Sequence, residues 1–144
     1  MTGMTNIVKT VTRIIGGVVF LFGLYIVTHG HLSPGGGFAG GTIIAGAFIL
    51  LVLAYGDNIM HLRRIKEESS ALENIAIFCI LIMATVGFML GAKVFFNNFL
   101  PTGVAGQLIS AGFIPLFNIL IGIEVAAALF TIFLAFVIFK EEEK

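Results

Sequence analysis

Four residues stand out by type and position: His29 and His31, two places apart, and Lys93 and Glu124, each set in an apolar run. The histidines open the stretch HGHLSPGGGFAGG, residues 29–41. Imidazoles bind metals or carry protons. A spacing of two puts them on roughly opposite sides of a helix, so only an irregular loop would bring them together. No cysteine or carboxylate lies nearby to complete a ligand set, and closed metal sites usually need four. The pair therefore reads as interfacial histidines meeting water or backbone carbonyls. The same stretch holds a G-x-G-x-x-G at Gly35, Gly37 and Gly40. A dinucleotide fingerprint needs a preceding strand and a following helix in a βαβ unit, which is missing here. A P-loop needs Gly-Lys-Ser/Thr, whereas Gly41 is followed directly by Thr42.

Glu124 lies about ten residues into the last apolar run, near the middle of a bilayer if that run is a helix. A charge there costs roughly 2.5–3.5 kcal/mol on insertion scales, and such residues usually serve function. It shares a helical face with Ala127, Ala128, Thr131 and Ala135, a small and slightly polar stripe. The bland reading is a neutral carboxyl bonded between helices. Lys93 sits near a helix end, where a lysine snorkels to the interface. It also projects away from the small face Ala84, Gly87, Gly91, which leaves it facing a partner subunit or a hydrated cavity. A direct Lys93–Glu124 pair is disfavoured, because their depths differ by about 10 Å. Asn118 occupies another face of its helix and reads as an interhelical hydrogen-bonding residue.

The elements that must position these residues are membrane helices. The chain is 58% hydrophobic and 11% charged over 144 residues, with mean hydropathy +1.09. A soluble domain needs more charge to cover its surface. Four apolar runs, about 8–28, 38–55, 75–96 and 114–139, are each long enough to span. They do not alternate as a membrane strand would. The fold class is therefore all-α membrane protein, one domain over 1–144, with a Gly-rich turn between the first two helices. Pro115 suits a helix's first turn. Ser70-Ala71-Leu72-Glu73 matches a capping box opening the third helix. The middle stretch, GDNIMHLRRIKEESSALEN, reads as a mixed-charge loop containing His61. Lys9, Arg13, Arg63, Arg64, Lys66, Lys140 and Lys144 all fall at one set of helix ends, while 29–37 and 97–113 carry no charge. The positive-inside rule then predicts both termini in the cytoplasm and the glycine stretch outside. The first run is too long for a signal-peptide core and lacks a small-x-small cleavage site, so it counts as a mature helix.

Within the turn, Gly37, Gly41 and Ala45, and likewise Gly36 and Gly40, form small-xxx-small rows that let a neighbouring backbone approach. Pro34 fixes the turn where the helix begins. Net charge of +0 gives no basic surface for nucleic acid. The single Cys79 forms no intrachain disulfide.

A first helix followed by Gly30, His31, Pro34, Gly35, Gly36, Gly37, Phe38, Gly40 and Gly41, leading directly into a second helix, resembles the B subunit of Mrp-type multisubunit Na⁺/H⁺ antiporters. It is equally similar to the matching subunit of archaeal membrane-bound hydrogenase and sulfur-reductase complexes. The resemblance implies a transporter subunit in the cell membrane with no catalytic site or redox centre of its own. Its implied partners are other antiporter-module membrane subunits and the lipid bilayer, with hydrogenase-like Fe–S subunits in the redox-driven versions. The implied ions are Na⁺ and H⁺, with no bound cofactor and no nucleic acid. On this reading Glu124 is the protonatable or cation-binding group. Lys93 is a relay or partner contact, with His31 and His29 toward the external mouth. Two alternatives stand beside it: a purely structural scaffold with ions passing through its neighbours, and an intramembrane metal-dependent enzyme using His29 and His31.

Overall fold

The computed structural model describes residues 3–56, 59–90, 94–98, 100–108 and 110–142. They form four helices: α1 (Asn6–Thr28), α2 (Gly37–Tyr55), α3 (Ile59–Met89) and α4 (Ile114–Glu142). Each is long and apolar enough to cross a membrane, and no strand occurs among the described residues. The protein is thus an all-α, multi-pass membrane protein. Its packing suits lipid as solvent. α1 buries only Gly16, Gly23 and Val27 and exposes Ile7, Ile14, Val18, Leu21 and Phe22. Between such helices close packing, not the hydrophobic effect, supplies the attraction.

The glycines of α2 serve two neighbours. Gly40 meets α1: a Cβ there would lie 2.8 Å from the Gly23 carbonyl oxygen. Gly41 meets α4: a Cβ there would lie 2.6 Å from the Gly122 carbonyl oxygen. Both neighbours are backbone, which cannot swing aside as a side chain does. Gly46, by contrast, faces open space.

Packing contacts fix the register. α2 runs parallel to α4, with Gly37 against Asn118 and Ile121 and the Phe48 and Phe130 rings 5.8 Å apart. α3 runs antiparallel to α4. Ser69 Oγ donates to the Ala127 carbonyl at 3.1 Å. Leu62, Leu134 and Ile138 form a buried core joined by Val52, Ile65, Phe130, Phe133 and Val137. At the same end, the Met4 amide donates to the Ala54 carbonyl at 2.8 Å. So the start of α1, the end of α2, the start of α3 and the end of α4 share one end of the bundle, the charged end. The turn between α1 and α2 lies at the other.

α3 departs from expectation at both ends. It begins at Ile59, not near residue 75, so residues 59–74 of the mixed-charge stretch are helix. The physical cause is composition. Residues 59–74 contain no glycine or proline and are rich in Leu, Arg, Lys, Glu and Ala, all good helix formers. Arg64 and Glu68 add an i,i+4 ion pair at 3.0 Å. Ser70 and Glu73 therefore lie mid-helix, and no cap forms there. α3 also ends at Met89 rather than near residue 96. The chain folds back on it: the Phe96 amide donates to the Ala84 carbonyl at 3.1 Å, and Phe88 and Phe95 stack at 5.2 Å. Lys93 and Gly91, on which one sequence expectation turned, lie outside the described residues.

The register has a consequence for depth. Ser69 stands level with Ala127, nine residues or about 13 Å below Asn118 and the glycine turn. That is the middle of α2, not its end. The charged first half of α3 thus runs alongside the membrane-spanning parts of α2 and α4.

Candidate functional site

The glycine turn is built around carbonyls and Asn118. His29 caps α1, its amide donating to the Tyr25 carbonyl at 3.0 Å, and its own carbonyl accepts from the Leu32 and Ser33 amides at 2.9 Å each. Gly35 and Gly36 take φ of 154° and 102°, angles that a side chain resists. The Gly37 amide, which opens α2, donates to Asn118 Oδ1 at 3.4 Å. Gly36 and Gly37 are buried against α4, so this helix N-terminus is committed to packing, as the sequence reading of a structural turn expects.

The histidines separate. His29 stacks on the Tyr25 ring at 4.1 Å, and its Nδ1 lies 3.1 Å from the Tyr25 carbonyl. His31 reaches the other way, with Nε2 3.4 Å from the Gln107 carbonyl, tying the turn to the segment before α4. No group of three or more His, Cys, Asp or Glu comes together to hold a metal among the described residues. Pro34 and Phe38 are exposed and contribute to the turn and to the lipid-facing surface.

Glu124 lies ten residues beyond the start of α4, about 15 Å along it. It is half-buried. No hydrogen bond or ion pair joins it to any described residue. Its direction follows from helical geometry at about 100° per residue. Asn118, Gly122 and Val125 face α2, and Ala127, Leu134 and Ile138 face α3. Glu124 and Thr131 point past the α3 contact, on its far flank.

The α3–α4 seam therefore has two flanks, each marked by a cleft. On one side, α1 and α2 complete a groove of about 570 Å³ lined by Phe20, Ile44, Phe48, Leu72, Ile123 and Phe130, with Glu68 and Ser69 at its edge. On the other lies a cleft of about 500 Å³ lined by Arg63, Lys66, Glu67, Ser70 and Ile138. By helical direction Glu124 and Thr131 turn to the same side of the seam as this cleft, whose α4 lining is Ile138. Thr131 Oγ1 is closed off from solvent and has no hydrogen-bond partner, as are Asn118 Nδ2 and His31 Nδ1. Sequence reasoning missed the α3 side of the flank. The signal was Leu62, Ile65, Ser69, Leu72 and Ala76 at spacings of three and four, a helical face running through the charged stretch.

Residues 7–131 match the family model described as a domain related to the MnhB subunit of Na⁺/H⁺ antiporter. The chain belongs to the MnhB family. An uncharacterised protein of Methanocaldococcus jannaschii is 34% identical over 134 residues, covering 88% of this chain and 50% of that protein. The mnhB2 antiporter subunit of Staphylococcus epidermidis is 46% identical over 52 residues, 36% of this chain and 37% of its own. Among solved structures, a chain of the membrane-bound sulfane sulfur reductase, an archaeal respiratory membrane complex, superposes with TM-score 0.72 at 34% identity, covering 91% of this chain and 57% of that one. This MnhB-family chain thus spans about half the length of the M. jannaschii relative it matches.

Proposed function

We propose that this chain is a membrane subunit of a multisubunit Na⁺/H⁺ antiporter module and that it lines an ion route through Glu124. The observation that carries the reading is the placement of Glu124. It lies within the family-matched residues, about 15 Å along α4, half-buried and without a partner among the described residues. A carboxylate at that depth with no partner among the described residues is poised to take a cation or proton from elsewhere. The subunit carries no catalytic or redox centre of its own and binds no resident cofactor; Na⁺ and H⁺ are its transported ions. The positive charges favour a charged end in the cytoplasm and a glycine turn outside. Its partners are other membrane subunits of the module. The likeness to a respiratory complex chain favours an assembly in which Fe–S subunits drive the ion movement.

Glu124→Gln in the intact complex tests this. Exchange in membrane vesicles is expected to fall at least tenfold while all subunits still co-purify. Full exchange by an assembled variant returns the chain to a scaffold role, with ions passing through its neighbours.

A further inference from the structure

The apolar groove continues toward the charged end of the bundle. On α1, Phe20, Leu24 and Val27 form its wall. Arg13 lies on the same helical face, seven residues or about 10 Å nearer the charged end. On α2, Ile44 and Phe48 line the groove, and Leu51 and Tyr55 continue that face at spacings of three and four. Arg13, Leu51, Val52, Tyr55 and Gly56 together line a second opening of about 490 Å³. The two openings therefore make one furrow along the bundle. α1 packs on α2 and touches α4 without reaching α3, so the furrow lies between α1 and α3.

The two parts of the furrow differ in chemistry. In the upper part the Phe20, Phe48 and Phe130 rings run across from α1 through α2 to α4, each 5.8 Å from the next. The hydroxyls there are already spent: Thr28 donates to the Leu24 carbonyl at 3.0 Å and Ser69 to the Ala127 carbonyl at 3.1 Å. That part offers an occupant only apolar surface. In the lower part Arg13 is exposed and has no hydrogen bond or ion pair among the described residues. Lys9, one turn before it, sets Nζ 5.8 Å from the centre of the Tyr55 ring. Arg64 stands across the furrow on α3, bonded to Glu68 at its rim at 3.0 Å. The level of the arginines follows from Val52, which lies beside Arg13 and packs on Leu62 and Leu134. Arg64 is two residues from Leu62, so the two arginines stand within about 3 Å of one level. Leu134 is twenty residues or about 30 Å from the start of α4, the thickness of a hydrocarbon core. Both guanidinium groups thus come at the interface, where headgroups lie.

We propose that the furrow is a binding site for one anionic phospholipid of the leaflet at the charged end, with a hydrocarbon chain in the groove and the phosphate between Arg13 and Arg64. The site does not depend on the Glu124 reading, because it lies on the other flank of the α3–α4 seam. A guanidinium matches phosphate through paired N–H groups, and basic pockets between membrane helices attract anionic headgroups. Arg64 neutralises the rim carboxylate of Glu68, which would otherwise repel such a head. Its side chain is still 78% exposed, so its remaining N–H groups can be reached. Charge and wall shape both favour a lipid over a partner helix. Membrane helices associate through small residues that let backbones approach, whereas the walls here are Phe, Leu and Ile, with Gly122 and Ala127 buried beneath them.

The test uses the full-length chain with the subunits that copurify, in phosphatidylcholine nanodiscs carrying a trace of phosphatidylglycerol with a photoactivatable diazirine in its chain. Mass spectrometry is expected to find the label concentrated on residues 20–28, 44–48 and 65–72, the groove walls. Unlabelled phosphatidylglycerol is expected to compete at least fivefold better than the same amount of added phosphatidylcholine. Arg13→Gln combined with Arg64→Gln is expected to lower groove labelling at least fivefold and to remove that preference, with helical circular dichroism and elution volume unchanged. If the double variant does not assemble, Arg13→Gln alone, at an exposed position, is expected to lower labelling at least twofold. Lys66→Gln, in the polar cleft on the other flank, is the control and is expected to stay within twofold. Label spread evenly over exposed α1 positions such as Ile7, Ile14 and Leu21 means ordinary surrounding lipid and overturns the site. Equal competition by the two lipids, or labelling indifferent to the arginines, overturns the anionic headgroup and the proposal with it. An Ile123→Cys probe that cross-links to a copurifying subunit while the groove takes no lipid label shows a partner helix in the furrow, which also overturns it.

Discussion

The two flanks of the α3–α4 seam are made from the same two helices and differ in almost everything else. Toward α1 and α2 the seam opens into a groove dominated by Phe, Ile and Leu. Away from them it opens into a cleft carrying Arg63, Lys66, Glu67 and Ser70, with Ile138 on the α4 side. Adjacent residues show the division: Ser69 spends its hydroxyl on the Ala127 carbonyl inside the seam, whereas Ser70 faces the polar cleft. The asymmetry comes from turning a charged helix so that most of its polar side chains share a flank.

Leu134→Ala tests the wedge between the flanks. Leu134 is 0% exposed, and truncation is expected to cost about 2–5 kcal/mol, read by detergent unfolding. A cost under about 1 kcal/mol would mean a loose seam and flanks that are not separate. Next in size, Gly41→Ala drives a methyl at the Gly122 carbonyl and is expected to cost about 1–3 kcal/mol. Co-purification with partner subunits should fall with it, since α2 would lean away from α4 and open the groove.

The serine pair sharpens the contrast. Ser69→Ala loses one interhelical hydrogen bond, about 0.6 kcal/mol in membrane proteins, and leaves the sodium dependence of exchange unchanged. Ser70→Ala leaves stability unchanged and shifts that sodium dependence. The reverse pattern would exchange the roles assigned to the two flanks. Smallest of all, Gly46→Ala faces open space and is expected to move stability by less than about 0.5 kcal/mol, which shows that the Gly41 effect comes from a particular contact and not from glycine content.

Much of this architecture is legible in the residues. Four spans, the turn at Gly35 and Gly36 and the small-residue rows of α2 follow from local rules of backbone freedom and apolar length. Glu124 also declares itself, because a carboxyl in a long apolar run has no local explanation. The charged half of α3 was harder to read. Charge argued for a solvated loop, while helix propensity and the Leu62–Ile65–Ser69–Leu72–Ala76 spacing argued for a helix, and the second argument prevailed because this face packs on α4.

The sequence by itself determined that the chain is a helical membrane protein, that the glycine stretch is a packed turn, and that Glu124 sits deep, since length, hydropathy and backbone sterics act within a segment. Only the tertiary structure decided that residues 59–74 rise beside α4 rather than lie in solvent, that Gly40 meets α1 while Gly36, Gly37 and Gly41 meet α4, and that Lys66 and Ser70 line a cleft beside the α3–α4 seam. Those facts depend on register, and register is set by contacts between helices far apart in the chain, such as Ser69 with Ala127 and Leu62 with Leu134.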